Sequence, residues 1–239
     1  MEGPRTARAK LTPMCGRYTL TYRQAEQLAL ELGVPIEQLA DYEPRYNIAP
    51  TQRQWIVRTE FEEREALRAR WGLINHWAKD AKMGYRTINA RAESVHQRPA
   101  FRDAFKKRRC GVPADGFYEW QGPKGKRVPL RFHRPDGGLL FFAGLYESWQ
   151  PEPDVWEPTY TIITTEANGL ISSVHDRMPV ILLEEQVDDW LFPKESDIDK
   201  LRSFLVPAAD DLLVSTPASP SVNSVKNDDP SLLEYAEPG

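Results

Sequence analysis

At 239 residues the chain can form one large domain or two small ones, and its make-up, 41% apolar and 28% charged, is that of a globular protein. No apolar run approaches the ~20 residues that cross a bilayer, and the basic first fourteen residues lack the apolar stretch of a secretory signal. Two cysteines, Cys15 and Cys110, cannot build a disulfide framework, so a reducing intracellular setting is expected. The net charge of −4 hides an asymmetry: residues 184–239 carry 13 acidic and 4 basic side chains, the rest of the chain 27 basic and 22 acidic. Within that basic part, RPAFRDAFKKRR (98–109) holds six basic residues against Asp103 alone. Electrostatic binding follows the local patch and not the total.

After an extension over residues 1–13, RYTLTY predicts a short strand. RQAEQLALELG predicts an amphipathic helix with Ala25, Leu28 and Leu32 on one face and Gly33 past its end. PRYNIAPTQ reads as irregular, because Pro44 and Pro50 interrupt it. QWIVRT and ALRARWGLI follow as strands. NHWAKDAKMGYRTINARAESV has no clear period and reads as a surface segment ending in a helix start, and FRDAFKKRR continues as helix. CGVPADGFYEWQ and RVPLRFHR read as two strands around the turn-rich GPKGK. GLLFFAGLYESW and TYTIITTEA are strands split by the loop QPEPDVWEP, and LISSVHDRMPVIL holds a turn and a strand. EEQVDDWLF and DIDKLRSFL predict short helices, and the tail from Asp210 reads as loop. Seven or so strands among a few helices predict one α+β domain with a curved, mainly antiparallel, barrel-like sheet core.

Four stretches concentrate reactive polar residues among Gly, Pro and aromatics: MCGRYT, INARAES, ADGFYEW and VHDRMP. Each residue alone admits a plain structural role. Cys15 suits a small buried hydrophobe, Asn89 a helix cap, Glu119 an exposed strand position, and His175 a turn histidine paired with Asp176. The four histidines and two cysteines show no zinc-site spacing, and no phosphate-binding glycine loop precedes a lysine.

Taken together, MCGRYT, YNIAPTQ, RWGLI, INARAES, CGVPADGFYEW, HDRMP and VNSVKND occur in the order found in the SRAP (SOS-response-associated peptidase) family, which the chain resembles over about residues 14–230. The family shields abasic sites in single-stranded DNA. The resemblance implies that Cys15 becomes the first residue, so that its α-amine and thiol close a thiazolidine ring on the ring-opened sugar aldehyde. It implies that Asn89 orients cysteine and sugar, that Glu119 moves protons at the amine, and that His175 assists sugar opening. Weak lyase activity is compatible with the same imine. Arg17, Arg91 and Arg177 are expected to hold flanking phosphates, with Arg98, Arg102 and Lys106 as secondary contacts. Pro50, Trp71 and Trp77 are expected to offer stacking surfaces, although core packing is an equal reading for Trp71. One departure is Asn75, where family members commonly carry proline.

The resemblance implies no metal and no cofactor, a monomer acting on abasic single-stranded DNA without a membrane, and a cytoplasmic, nucleoid-associated protein of the compact bacterial type. Two other readings stay open: a cysteine peptidase with Cys15 as nucleophile and His175 as base, cutting its own extension, and a non-covalent single-strand binding module. The extension makes the start of the chain decisive, because only a terminal Cys15 has a nucleophilic nitrogen. Initiation at Met14 followed by methionine removal is the expected route.

Overall fold

The computed structural model describes residues 16–123 and 125–234. Cys15, with residues 1–13, lies outside them. Among the described residues the strands are β1 (Tyr18–Leu20), β2 (Arg45–Ile48), β3 (Arg53–Glu60), β4 (Glu63–Trp71), β5 (Asn89–Arg91), β6 (Arg109–Ala114) and β7 (Gly116–Gln121). They continue with β8 (Val128–His133), β9 (Leu140–Glu152), β10 (Val155–Glu166), β11 (Arg177–Pro179), β12 (Ile181–Leu182) and β13 (Val214–Pro217). The helices are α1 (Ala25–Leu32), α2 (Arg102–Lys107), α3 (Glu184–Leu191) and α4 (Ile198–Ser203).

Strands β4, β3, β6, β9 and β10 pair in that order, and β10 returns to β4, which closes a five-stranded barrel. All its ladders are antiparallel except β10 with β4, where Thr159 and Tyr160 run parallel to Arg70 and Trp71. The second sheet is antiparallel in the order β13-β8-β7-β1-β2. Its inner face packs on the barrel through Tyr18, Phe117 and Phe132, which join Trp71, Phe142 and Tyr160 in one continuous core. The chain is therefore the single α+β unit with a barrel core that the strand pattern predicts.

The predicted helix is α1. Leu28, Ala29 and Leu32 are buried, and Gly33 takes the left-handed conformation (φ +67) that ends it. Each fully buried leucine contributes about 1.5–3 kcal/mol.

Five expectations need correction. PRYNIAPTQ is not wholly irregular: both prolines fall outside β2, which pairs with β1. CGVPADGFYEWQ is two strands in two sheets, because the chain turns at Asp115. QPEPDVWEP does not interrupt the sheet, since β9 runs to Glu152 and β10 starts at Val155 with their ladder maintained. The tail adds β13 to the edge of β8. Finally, FRDAFKKRR is not helix throughout: α2 ends at Lys107 and Arg109 begins β6. Arg98, Arg102, Lys106 and Lys107 are exposed, whereas Arg109 is buried and donates to the carbonyls of Phe105, Lys106, Trp190 and Phe192 at the ends of α2 and α3. Burial lowers its pKa to about 10.

Candidate active site and nucleic-acid face

Strand β10 organises the site. Its residues 162–164 run parallel to β5, with Ile162 opposite Asn89 and Thr164 opposite Arg91. Where β9 leaves off, β11 takes over the other edge, with Glu166 opposite Arg177. The C-terminal end of β10 is thus flanked by the strand bearing Asn89 and the segment bearing His175. Asn89 is a strand residue and not the helix cap that its surroundings suggest, because Ile88 and Asn89 find ladder partners on β10.

Glu119 arrives from the other sheet. It is 6% exposed on β7, so the exposed-position reading fails. Strand β7 pairs with β1 with Tyr18 opposite Phe117, and the Tyr118 amide donates to the Arg17 carbonyl (3.0 Å). The same register sets Gly16, where the described chain begins, across from Glu119. Two contacts tie this corner to the barrel. The Tyr18 and Tyr160 hydroxyls are hydrogen bonded at 2.7 Å, and the Tyr18 ring meets Trp71 edge-on at 5.2 Å.

Trp71 is the clearest correction among the site residues. It is fully buried, stacks on Tyr160, and donates from Nε1 to the Ile88 carbonyl (2.8 Å). No face of its indole is open to a base. It instead braces Ile88, the residue before β5, against Tyr160 of β10 and Tyr18.

His175 closes the third side. Its Nδ1 is 3.1 Å from the Arg177 amide nitrogen and 3.0 Å from Asp176 Oδ1. The amide N–H requires a lone pair, so the neutral ring carries its proton on Nε2; the charged ring turns Nδ1–H to Asp176. Burial lowers the His175 pKa below its ordinary value, Asp176 opposes that, and Arg127 and Arg177 add to it. Arg127 lies on the connection between β7 and β8, so that connection contributes positive charge to the surroundings of His175. A ring neutral at pH 7 is expected to titrate with a midpoint below about 6.5. Nitrogen-detected NMR would read it: Arg127→Gln should raise the midpoint and Asp176→Asn should lower it. A midpoint at or above the ordinary histidine value would contradict this assignment.

The arginines divide into held and open. Arg17 donates through Nη1 to Asn47 Oδ1 (2.9 Å) and the Val222 carbonyl (2.7 Å), with its guanidinium carbon 5.8 Å from the Trp120 ring. Burial lowers its pKa, against an opposing contribution from Tyr118. Arg177 is 11% exposed, ion-paired with Glu93, and donates from Nη2 to the Thr164 carbonyl (2.6 Å). The phosphate contact expected of Arg177 is therefore occupied by a carboxylate, and its visible work is to clamp residues 91–95 onto β11. Arg91, Arg98, Arg102 and Lys106 are exposed, with Arg102 near Asp103 (3.6 Å). Trp77 is 57% exposed. Pro50 is half-buried in a turn fixed by Thr51 and Gln52 to the backbone of Trp71.

Sequence reasoning missed Trp120 and Asn47. Trp120 follows Glu119, carries the Arg17 cation over its ring, and donates from Nε1 to Asn223 Oδ1 (2.7 Å). Its position in GFYEW next to Glu119 was the available signal. Asn47 Nδ2 donates to the carbonyls of Val222, Ser224 and Asn227, and the Asp228 carboxylate accepts the amides of Tyr46 and Asn47. YNIAPTQ and VNSVKND, linked by Asn47 to Val222 across 175 residues of sequence, thus form one support under Arg17.

Comparison with known proteins gives the family. The family model described as SOS response associated peptidase (SRAP) matches residues 14–225. The abasic site processing protein YoqW of Bacillus subtilis is 42% identical over 226 residues, covering 92% of this chain and 99% of that protein. The abasic site processing protein HMCES of Gallus gallus is 32% identical, covering 83% of this chain and 68% of its own length. A crystal structure of a protein from Bacteroides thetaiotaomicron superposes with a TM-score of 0.82 at 25% identity, covering 93% of this chain and all of that one. Another from Bordetella bronchiseptica gives 0.70 at 31% identity, over 86% of this chain and all of that one. With the match spanning nearly the whole described structure, the chain belongs to the SRAP family.

Proposed function

We propose that the protein processes abasic sites in single-stranded DNA by linking itself to them through Cys15. What supports this reading is that β1, which starts at Tyr18 three residues after Cys15, pairs with β7 bearing Glu119 and is bonded through Tyr18 to Tyr160 of β10, whose C-terminal end is flanked by the segments bearing Asn89 and His175. The relatives' abasic-site activity supplies the substrate class.

Chemistry follows from the parts. An abasic site offers an aldehyde when its sugar is open. The Cys15 α-amine attacks the carbonyl carbon, and loss of water gives an imine. The Cys15 thiol then adds to the imine carbon, its proton passes to the nitrogen, and a five-membered thiazolidine closes. An α-amine has a pKa of about 7.7–8.0 and a thiol about 8.5, so both nucleophiles are accessible near neutrality. Sulfur held on the carbon next to the nitrogen has a large proximity advantage over any external thiol. Buried Glu119, across from Gly16, is suited to take a proton from the amine and return it to departing water. His175, neutral with Nε2–H, is suited to donate to the sugar ring oxygen as it opens. The amide of Asn89 is suited to hold a sugar oxygen. Exposed Arg91, Arg98, Arg102 and Lys106, with Trp77, give the strand a basic and aromatic track.

The test is a denaturing gel with a single-stranded oligonucleotide bearing one abasic site, using protein whose terminus is verified as Cys15 by mass. A shifted band, absent for Cys15→Ala and for undamaged DNA, is expected. No band from the verified protein would overturn the proposal.

A further inference from the structure

Asn89 and His175 come to the site from different strands: β5, which carries Asn89, runs parallel to β10, and β11, just after His175, runs antiparallel to it. One ion pair links the two segments past the end of β10. Arg177, two residues after His175, donates through both prongs of its guanidinium to Glu93, four residues after Asn89: Nη1 to Oε1, and Nη2 to Oε2 at 3.0 Å. A two-pronged pair of this kind fixes orientation as well as distance. Nη2 also donates to the Thr164 carbonyl (2.6 Å), which accepts the Ala92 amide as well (2.9 Å). Glu93 itself sits in a turn closed by the Ser94 and Val95 amides on the Arg91 carbonyl (3.1 and 2.9 Å), and Val95 is fully buried.

The same arginine holds the histidine, because its backbone N–H is the donor to His175 Nδ1 (3.1 Å). Arg177 Nε is buried with no partner among the described residues, and Glu93 is the one carboxylate paired with this guanidinium there. Without that carboxylate, the visible fastening of the side chain is Thr164 alone. The hydrogen bond from Arg177 holds the Glu93 carboxyl below the usual carboxylate range, so the pair is charged at neutral pH.

We propose that Glu93 is a positioning residue for His175: acting through Arg177, it fixes the imidazole relative to Asn89 and offsets the Arg177 charge beside the ring. The proposal rests on the reading that Asn89 and His175 serve the abasic-site reaction. Its electrostatic part has a definite sign. Arg127 and Arg177 disfavour the charged ring and Asp176 favours it. Loss of the Glu93 charge leaves Arg177 uncompensated, so the imidazolium becomes harder to form.

Glu93→Gln, which keeps the shape and removes the charge, tests it in a chain whose terminus is verified as Cys15. Nitrogen-detected NMR without DNA is expected to show the His175 midpoint lower by about 0.3–1 pH unit. In single-turnover gels with abasic single-stranded DNA, the rate at saturating DNA is expected to fall roughly 3- to 30-fold. The DNA concentration that gives half of that rate should not rise. Glu93→Asp, shorter but charged, should restore the midpoint and part of the rate. An unchanged or raised midpoint in Glu93→Gln would overturn the proposal. So would a rate loss matched by an equal rise in the half-saturating DNA concentration, which would place Glu93 in binding. A parent that forms no crosslink would overturn the crosslinking function, and the midpoint would then decide by itself whether Glu93 controls His175.

Discussion

A chain that begins at Cys15 is expected to trap abasic DNA covalently, and a chain that keeps residues 1–14 in front of it is expected to give no trapped product at all. The difference is the state of one nitrogen. In an internal Cys15 that nitrogen is an amide, its lone pair delocalised into the carbonyl, and it neither attacks an aldehyde nor closes a ring. The expected effect is complete loss, larger than that of any side-chain substitution in the site, because no neighbouring group can restore the nucleophile. The family match begins at residue 14. Two chains, one starting at Met1 and one at Met14, would be compared by intact mass and then on a denaturing gel. Cys15→Ser on the shorter chain adds a diagnostic arm. It keeps the amine, so borohydride should capture its imine, while the stable band without reductant should be missing. A stable band from protein with a proven Met1 terminus would refute the ring-closing mechanism.

Sequence reasoning located elements whose identity rests on local periodicity and missed those that exist only through partners. Helix α1 was legible because its apolar spacing and its terminal glycine are both local. Strands β2 and β5 were not, because four- and three-residue strands carry no period, and β5 is a strand by virtue of lying parallel to β10. The motifs were legible as a set, yet the chemistry of a motif does not tell which members face a substrate. Trp71 and Trp77 are six residues apart, one wholly enclosed and the other mostly open. Arg91 is the β5 partner of Thr164 and Arg177 reaches the Thr164 carbonyl from β11, and of the two Arg177 is spent on an ion pair. Those differences come from the parallel ladder and from Glu93, neither of which has a sequence signal. The split between β6 and β7 was hidden for a related reason. The bend at Asp115 is held by side chains nearly a hundred residues upstream.

Replacing Asp115 by alanine is expected to cost about 3–5 kcal/mol, the range for breaking a buried ion pair from one side. Asp115 is 4% exposed where the chain crosses from the barrel to the second sheet. Its Oδ1 accepts from Thr19 Oγ1 (2.5 Å) and Arg131 Nη2 (3.0 Å), and its Oδ2 from the Thr21 amide (2.6 Å) and Thr21 Oγ1 (2.5 Å). Its own backbone amide donates to the Thr19 carbonyl (2.9 Å). Alanine keeps that last bond and leaves Arg131, 14% exposed, as a largely enclosed cation with no carboxylate beside it. For a chain of this size the loss corresponds to a melting point lower by roughly 6–20 °C. Adding Arg131→Met should recover part of the loss, because the double variant no longer buries an unpaired charge. Function should suffer as well, since the same carboxylate anchors the end of β1 and β1 delivers residues 16 and 17 to Glu119. Well below its melting point, Asp115→Ala is therefore expected to crosslink more slowly at saturating DNA. Circular-dichroism melting and single-turnover gels measure the two effects separately. A melting point within a degree of the parent would show that the junction draws its strength from the barrel packing and not from this carboxylate.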